Sequence, residues 1–182
     1  MRLIGLTGPA GCGKDTVAGH LVAKHGYIKL SFAEPIKDAL CAMFGWAPDR
    51  LLDREWKETV LPLYGKSPRQ LMQTLGTEWG RNLIHPELWM LILQERIVAL
   101  EQSCVFRGAV ISDVRFENEA SMIREQGGDL WHIKRAVASV HEHISEAGVD
   151  INPLCDVQLN NSSTVDSLFL DVDRVIFRGS YA

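Results

Sequence analysis

Gly8, Pro9, Ala10, Gly11, Cys12, Gly13 and Lys14 make a G-x-x-x-x-G-K run, a spacing suited to gripping phosphate. Glycines let the backbone curl until its N–H groups face phosphate oxygens. A following helix adds the positive end of its dipole, and a lysine brings a full charge to the β and γ phosphates of a nucleotide. Gly8, Ala10, Gly11, Cys12, Gly13, Lys14, Asp15 and Thr16 are therefore the candidate nucleotide contacts. Asp15 stands where a Ser or Thr hydroxyl usually meets Mg²⁺, so the hydroxyl is displaced by one residue to Thr16; both are candidate metal-organising groups. Asp113, at the end of the apolar run Ala109-Val110-Ile111-Ser112, is a third.

A phosphate loop leaves kinase, GTPase and ATPase chemistry open, and the chain has no Asn-Lys-x-Asp base-reading motif. Two uses remain: phosphoryl transfer to a small molecule, or a nucleotide-dependent switch without turnover. Transfer requires positive groups around the migrating phosphoryl and a second anion site. Arg115, two residues beyond Asp113, fits the first need. Lys37, Arg69 and Arg81 fit the second, although each taken alone reads as a solvated surface charge.

These residues need a scaffold that gathers them at one edge. Residues 3–7 read as a buried strand running into the loop, and Lys14 to His25 as a helix with Val17, Ala18, Leu21 and Val22 at helical spacing and Gly26 as its C-terminal cap. Residues 27–32 read as a second strand, followed by a helix opening at Pro35 with Ile36, Ala39, Leu40, Met43 and Phe44 on one face. The stretch 45–66 has a weak period and reads as a mobile insertion. Ser67-Pro68-Arg69-Gln70 carries a capping box and opens a helix, Pro86 opens another, and the glycine-punctuated stretch between them reads as more than helix surface. Residues 109–113, 130–135 and 157–159 read as further strands, with helices over 117–126 and from Val165 to Ile176. The pattern predicts one α/β domain over residues 1–182. Its five-stranded, mostly parallel sheet is flanked by helices, with an acceptor-binding excursion at about 45–85 and a lid-like one at about 136–155.

Composition narrows the partners. The 182 residues are 46% hydrophobic and 23% charged, and 19 Lys plus Arg against 23 Asp plus Glu give a net charge of −4, without the basic footprint of a nucleic-acid polymer binder. No apolar run is long enough to span a bilayer, and the start reaches glycines before a secretory leader could form. Cys12, Cys41, Cys104 and Cys155 show no C-x-x-C spacing and read as reduced thiols. The expected location is the cytoplasm, without membrane or nucleic-acid partners.

Several blocks resemble one family. Leu6-Thr7-Gly8 running into Ala10-Gly11-Cys12-Gly13-Lys14-Asp15-Thr16-Val17-Ala18, then Ser31-Phe32-Ala33-Glu34-Pro35-Ile36-Lys37, occur in the order found in phage-type deoxynucleoside monophosphate kinases. Pro68-Arg69-Gln70-Leu71-Met72-Gln73 with Leu75-Gly76-Thr77-Glu78-Trp79-Gly80-Arg81, and Asp113-Val114-Arg115-Phe116-Glu117-Asn118-Glu119, follow in that order and are the more restricted blocks. The resemblance implies a P-loop kinase fold and transfer of the γ phosphoryl of ATP, with Mg²⁺, to the 5′ phosphate of a deoxynucleoside monophosphate for dNTP precursor synthesis, in the host cytoplasm if the chain is phage-encoded. It implies catalytic roles for Lys14, Asp113, Arg115 and Arg135, and acceptor contacts from Phe32, Lys37, Arg69, Gln73, Glu78, Trp79 and Arg81. Core packing is the competing role for Phe32 and Trp79. Small-molecule kinases related to adenylate kinase also place threonine one residue later in the loop.

Residues 136–154 contain no Lys or Arg, unlike an arginine-bearing lid, which leaves Arg135 as the one guanidinium from that side. His141 and His143 lack a third ligand at useful spacing, so zinc is not expected there. Asn160 and Asn161 follow the last strand where this fold usually contacts adenine, with Ser162 or Ser163 as a helix cap. Kinases for dephospho-coenzyme A or phosphomevalonate share the loop and remain alternative readings. A homodimer is left open.

Overall fold

Five short segments pair into a single parallel sheet in the order β2-β3-β1-β4-β5: β1 (Arg2–Thr7), β2 (Tyr27–Leu30), β3 (Gly108–Ile111), β4 (Asp129–Lys134) and β5 (Val157–Asn160). The computed structural model describes residues 1–135 and 149–178, so most of the lid-like stretch, with His141 and His143, lies outside the described residues. β1 is central, with Ile4 opposite Val110 of β3 and Asp129 of β4. A sheet covered on both faces explains why its strands read as continuous apolar runs instead of alternating ones. All pairings among the described strands are parallel, which places every strand's carboxyl end along one edge.

The chain divides into two units, Met1–Ser31 with Ile97–Ala182, and Phe32–Arg96. In the first, α1 (Lys14–His25) and α7 (Val165–Arg178) contribute to one core on the sheet, built by Ile4, Leu6, Val17, Leu21, Val110, Trp131, Ile133, Leu168, Val172 and Ile176. α1 spans the residues its periodicity indicates and ends at Gly26 (φ 71°), whose N–H reaches the Leu21 carbonyl. α6 (Glu117–Glu125) approaches β1 where Gly5 has no side chain; a Cβ there would stand 2.6 Å from Ile123 Cδ1. Thr164, and neither Ser162 nor Ser163, caps α7: its Oγ1 accepts from the Ser167 N–H at 3.2 Å.

The second unit holds α2 (Glu34–Phe44), α3 (Arg54–Glu58), α4 (Pro68–Gln73) and the start of α5 (Leu88–Ser103). The stretch read as an aperiodic insertion contains a 3₁₀ turn over Pro48–Leu52, α3 capped by Asp53, and a bridge between Leu61 and Lys66. Its period is weak because an aromatic cluster, and not a helical stripe, organises it. Phe44 stacks on Trp46 at 4.7 Å, Tyr64 meets Phe44 at 4.8 Å, and Trp46 meets Trp56 at 5.0 Å. Met43, expected on the apolar face of α2, is exposed.

The Ser67 capping box forms as its sequence indicates. Beyond Gln73 the chain does not break at its glycines but continues as a π-helical stretch, Thr74–Ile84. Its glycines serve packing. A Cβ on Gly80 would lie 2.4 Å from the Trp89 ring, and Trp89 Nε1 donates to the Gly76 carbonyl at 2.7 Å. Pro86 lies in a turn and α5 begins at Leu88, whose N–H bonds to the His85 carbonyl.

Candidate active site

β1 delivers the chain to the phosphate loop through buried Thr7. Gly8, Gly11 and Gly13 then take φ values of 136°, 77° and 108°, in the region where a side chain is strained. Space adds a second constraint at two of them: a Cβ on Gly8 would lie 2.4 Å from the Ile133 carbonyl oxygen, and one on Gly13 2.4 Å from Asn161 Nδ2. The loop is thus packed against the ends of β4 and β5. Cys12 is buried beneath it, whereas Ala10 and Gly11 are exposed at its crest. All four cysteines are free thiols. Lys14 opens α1 and folds back over the loop, with Nζ donating to the carbonyls of Gly8 at 2.6 Å and Pro9 at 2.8 Å. Its charge therefore sits on the loop itself, at the N-terminal end of the helix dipole.

Asp15 and Thr16 are exposed on the first turn of α1. Asp15 Oδ1 accepts from Lys29 Nζ at 2.6 Å, an exposed pair joining α1 to β2. Asp113 lies just past β3, between the ends of β2 and β1 in strand order, and accepts from the Ser31 hydroxyl at 2.8 Å. Arg115 follows on the turn into α6. Both N–H groups of that turn donate to one oxygen of buried Glu119, Arg115 N at 2.8 Å and Phe116 N at 3.1 Å. The carboxylate replaces the side-chain cap that Phe116 cannot offer, and it fixes the backbone from which Arg115 projects.

Arg135 is exposed directly after β4. Asn160 Oδ1 accepts from the Ser162 hydroxyl at 2.6 Å. Buried Asn161 turns inward, its Nδ2 donating to the Cys12 carbonyl at 2.8 Å, so it braces the loop from below. Beyond the loop, Asp156 anchors the described end of the lid-like stretch. Arg124 grips both its oxygens, at 3.1 and 2.7 Å, while the Asn152 N–H and His132 Nε2 reach Oδ2. Burial pushes this carboxyl's pKa up, but the Arg124, Asn152 and His132 contacts outweigh it and hold the value at about 2.

The acceptor candidates fall in the second unit. Phe32 is buried, as expected of a packing residue, and Lys37 lies on the first turn of α2. Arg69 on α4 pairs with Glu58. Gln73 ends α4, and exposed Glu78 accepts from the Thr74 hydroxyl at 3.5 Å. Trp79 is 44% exposed on the π-helical stretch, which leaves its ring free of the core, and Arg81 donates to the Pro86 carbonyl at 3.4 Å. Three contributors escaped the sequence reading: Lys29, Glu119 and Trp89. A charge within the short second strand could have flagged Lys29, and a glutamate at the third helical position could have flagged Glu119.

Residues 55–172 match the family model for deoxynucleotide monophosphate kinase, about two thirds of the chain. The chain belongs to the deoxynucleotide monophosphate kinase family. Its similarity extends beyond that region: a protein of Acanthamoeba polyphaga mimivirus bearing the same family name is 33% identical over 189 aligned residues, covering 94% of each chain. The deoxynucleoside-5′-monophosphate kinase of Escherichia phage T5 is 25% identical, covering 93% of this chain and 94% of its own. Among solved structures, dephospho-CoA kinase from Campylobacter jejuni superposes with a TM-score of 0.52 at 14% identity, over 100% of this chain and 98% of that one, a likeness of fold. This kinase family is one of phosphotransferases, and the α/β architecture with its phosphate loop is that of a P-loop kinase. Among the described residues no helix is long and apolar enough to cross a membrane.

Proposed function

We propose that the chain transfers the γ phosphoryl of ATP to the 5′ phosphate of a deoxynucleoside monophosphate, in the cytoplasm of the cell that expresses it. The observation carrying this reading is the glycine-built loop closed by the Lys14 ammonium, in a chain of this family. The loop's N–H groups and the α1 dipole would hold the nucleotide phosphates, with Lys14 exchanging its two carbonyl partners for phosphate oxygens. Arg115 and Arg135 would offset charge on the migrating phosphoryl, while Lys37, Arg69 and Arg81 would hold the acceptor phosphate and Trp79 would offer its exposed face to the base. Gln73 and Glu78 would supply polar contacts to the acceptor, and Asn160 would lie near the adenine.

Asp113, Asp15 and Thr16 offer hard oxygen donors beside the loop, a set that fits Mg²⁺. When bound, that ion would neutralise the β and γ phosphate oxygens. The chain's own part is to orient those oxygens, with Asp113 positioned by Ser31 and Asp15 by Lys29.

A panel of deoxyribonucleoside and ribonucleoside monophosphates, with dephospho-coenzyme A as a further arm, tests the acceptor class by mass spectrometry of the products. A deoxynucleoside diphosphate is expected. Phosphorylation of dephospho-coenzyme A alone would move the chain to the alternative acceptor, and nucleotide binding without any phosphorylated product would make it a switch.

A further inference from the structure

His20 and His25 on α1 bring their Nε2 atoms to the same oxygen of Asp173 on α7, at 2.8 and 2.7 Å from Oδ1. The other oxygen, Oδ2, accepts from Lys24 Nζ at 2.7 Å. The three side chains are largely enclosed, at 10%, 8% and 13% exposure, and each offers an atom within 4.8 Å of the others. Phe169 stacks on His20 with centroids 4.0 Å apart and planes 8° apart, and Phe177 meets His25 edge-on at 6.1 Å. Both imidazoles are therefore fixed in orientation, and neither belongs to the phosphate machinery. At ~1.5 Å rise per residue they stand ~9 and ~16 Å along α1 from Lys14.

We propose that His20, His25 and Asp173 form a binding site for a divalent transition metal of the zinc type, with water completing four-coordination. Two imidazole nitrogens and one carboxylate oxygen make a donor set suited to zinc or cobalt and poorly suited to magnesium. As hydrogen bonds, the two contacts require a proton on each Nε2, both directed at one oxygen. A single cation at the centre of the three atoms replaces both protons. Lys24 on Oδ2 leaves Oδ1 to the imidazoles, the outer partner that a one-oxygen carboxylate ligand needs. Zinc bonds of about 2.0–2.1 Å in a tetrahedron set ligand atoms roughly 3.3 Å apart, so the Nε2–Oδ1 contacts of 2.8 and 2.7 Å would open by about half an ångström. The two imidazole nitrogens, now within 4.8 Å of each other, would settle at about the same separation through side-chain rotation. A bound ion would tie α1, the helix that begins at the phosphate loop, to α7.

Cobalt(II) is the probe, added to the full chain without nucleotide. The expected result is one ion bound in a tetrahedral site, with visible d–d bands and no sulfur-to-cobalt charge-transfer band. Binding should weaken at least about tenfold in His20→Gln and His25→Gln. Glutamine keeps an N–H donor for Asp173, so a purely hydrogen-bonded cluster would survive this change with its metal affinity unaltered. Zinc should raise the unfolding temperature of the parent and not of the variants. X-ray absorption on the cobalt-loaded parent should show two imidazoles in the first coordination sphere, a readout independent of how the variants fold. No binding, a sulfur charge-transfer band, an octahedral spectrum or an affinity in both glutamine variants equal to the parent's would each overturn the proposal.

Discussion

Asn161 donates its side-chain amide to the carbonyl of Cys12 across 2.8 Å, tying the end of β5 to the middle of the phosphate loop. The contact is buried, and it occupies the space that a Cβ at Gly13 would need. Loop shape in this kinase thus depends on a residue remote in sequence.

Asn161→Ala leaves the Cys12 carbonyl without its buried donor, at a cost of about 1–3 kcal/mol. That corresponds to a lowering of the unfolding temperature by roughly 2–4 °C per kcal/mol for a chain of this size. The ATP KM should rise several-fold, with a smaller change in the acceptor KM. Steady-state kinetics with each substrate varied in turn check the split; equal rises in both would show that the brace is not specific to the loop.

Glu119→Ala strips two N–H groups of the Arg115 turn of their acceptor. With Arg115 proposed to offset charge on the migrating phosphoryl, kcat should fall by at least tenfold while the acceptor KM stays within about twofold. Unchanged kcat would show that Glu119 does not position Arg115.

Gly80→Ala drives a methyl into the Trp89 ring, where the added Cβ would have only 2.4 Å. Overpacking of this kind costs about 1–3 kcal/mol. Gly65→Ala is the contrasting case, because nothing lies within 4 Å of its Cβ and only its φ of 63° opposes the change. Urea denaturation should place Gly80→Ala below Gly65→Ala in stability, and the reverse order would contradict the packing described for Trp89.

Asp156 supplies a pH dependence. Its folded pKa of about 2 lies below the ordinary 3.8, so its contribution is fully present above pH 3.8 and disappears as pH falls to about 2. The side chain is fully enclosed, and the shift corresponds to about 2 kcal/mol. Asp156→Asn should be less stable at neutral pH and converge on the parent near pH 2, as chemical denaturation across this range would show. A constant difference at every pH would mean that the carboxylate's charge is not what holds the Arg124 and His132 contacts.

The parts of this architecture that follow local rules were legible in the sequence. The G-x-x-x-x-G-K spacing, the Gly26 cap, the Ser67 capping box and the apolar strands each depend on neighbours within a few residues, and each forms, with β2 and β3 ending two residues earlier than the apolar runs 27–32 and 109–113 indicate. What escaped depends on contacts distant in sequence. Asn161 beneath Cys12 and Lys29 on Asp15 are pairings set by strand order, which no local pattern encodes. The glycines at 76 and 80 mark their stretch as more than helix surface, but their packing role is visible only once Trp89 is placed against them. The 45–66 stretch hid its structure because aromatic rings spaced without a period organise it.

Phosphoryl transfer directed by Lys14 is followed with ATP carrying ¹⁸O in its γ phosphate, incubated with the chain and a deoxynucleoside monophosphate. Mass spectrometry should find the label in the β phosphate of the deoxynucleoside diphosphate. Lys14→Ala, which removes a charge seated on loop carbonyls and not in the core, should abolish that product while leaving the unfolding temperature close to the parent's. Label recovered only in inorganic phosphate would rule out transfer to the acceptor, and undiminished transfer by Lys14→Ala would rule out the role of Lys14.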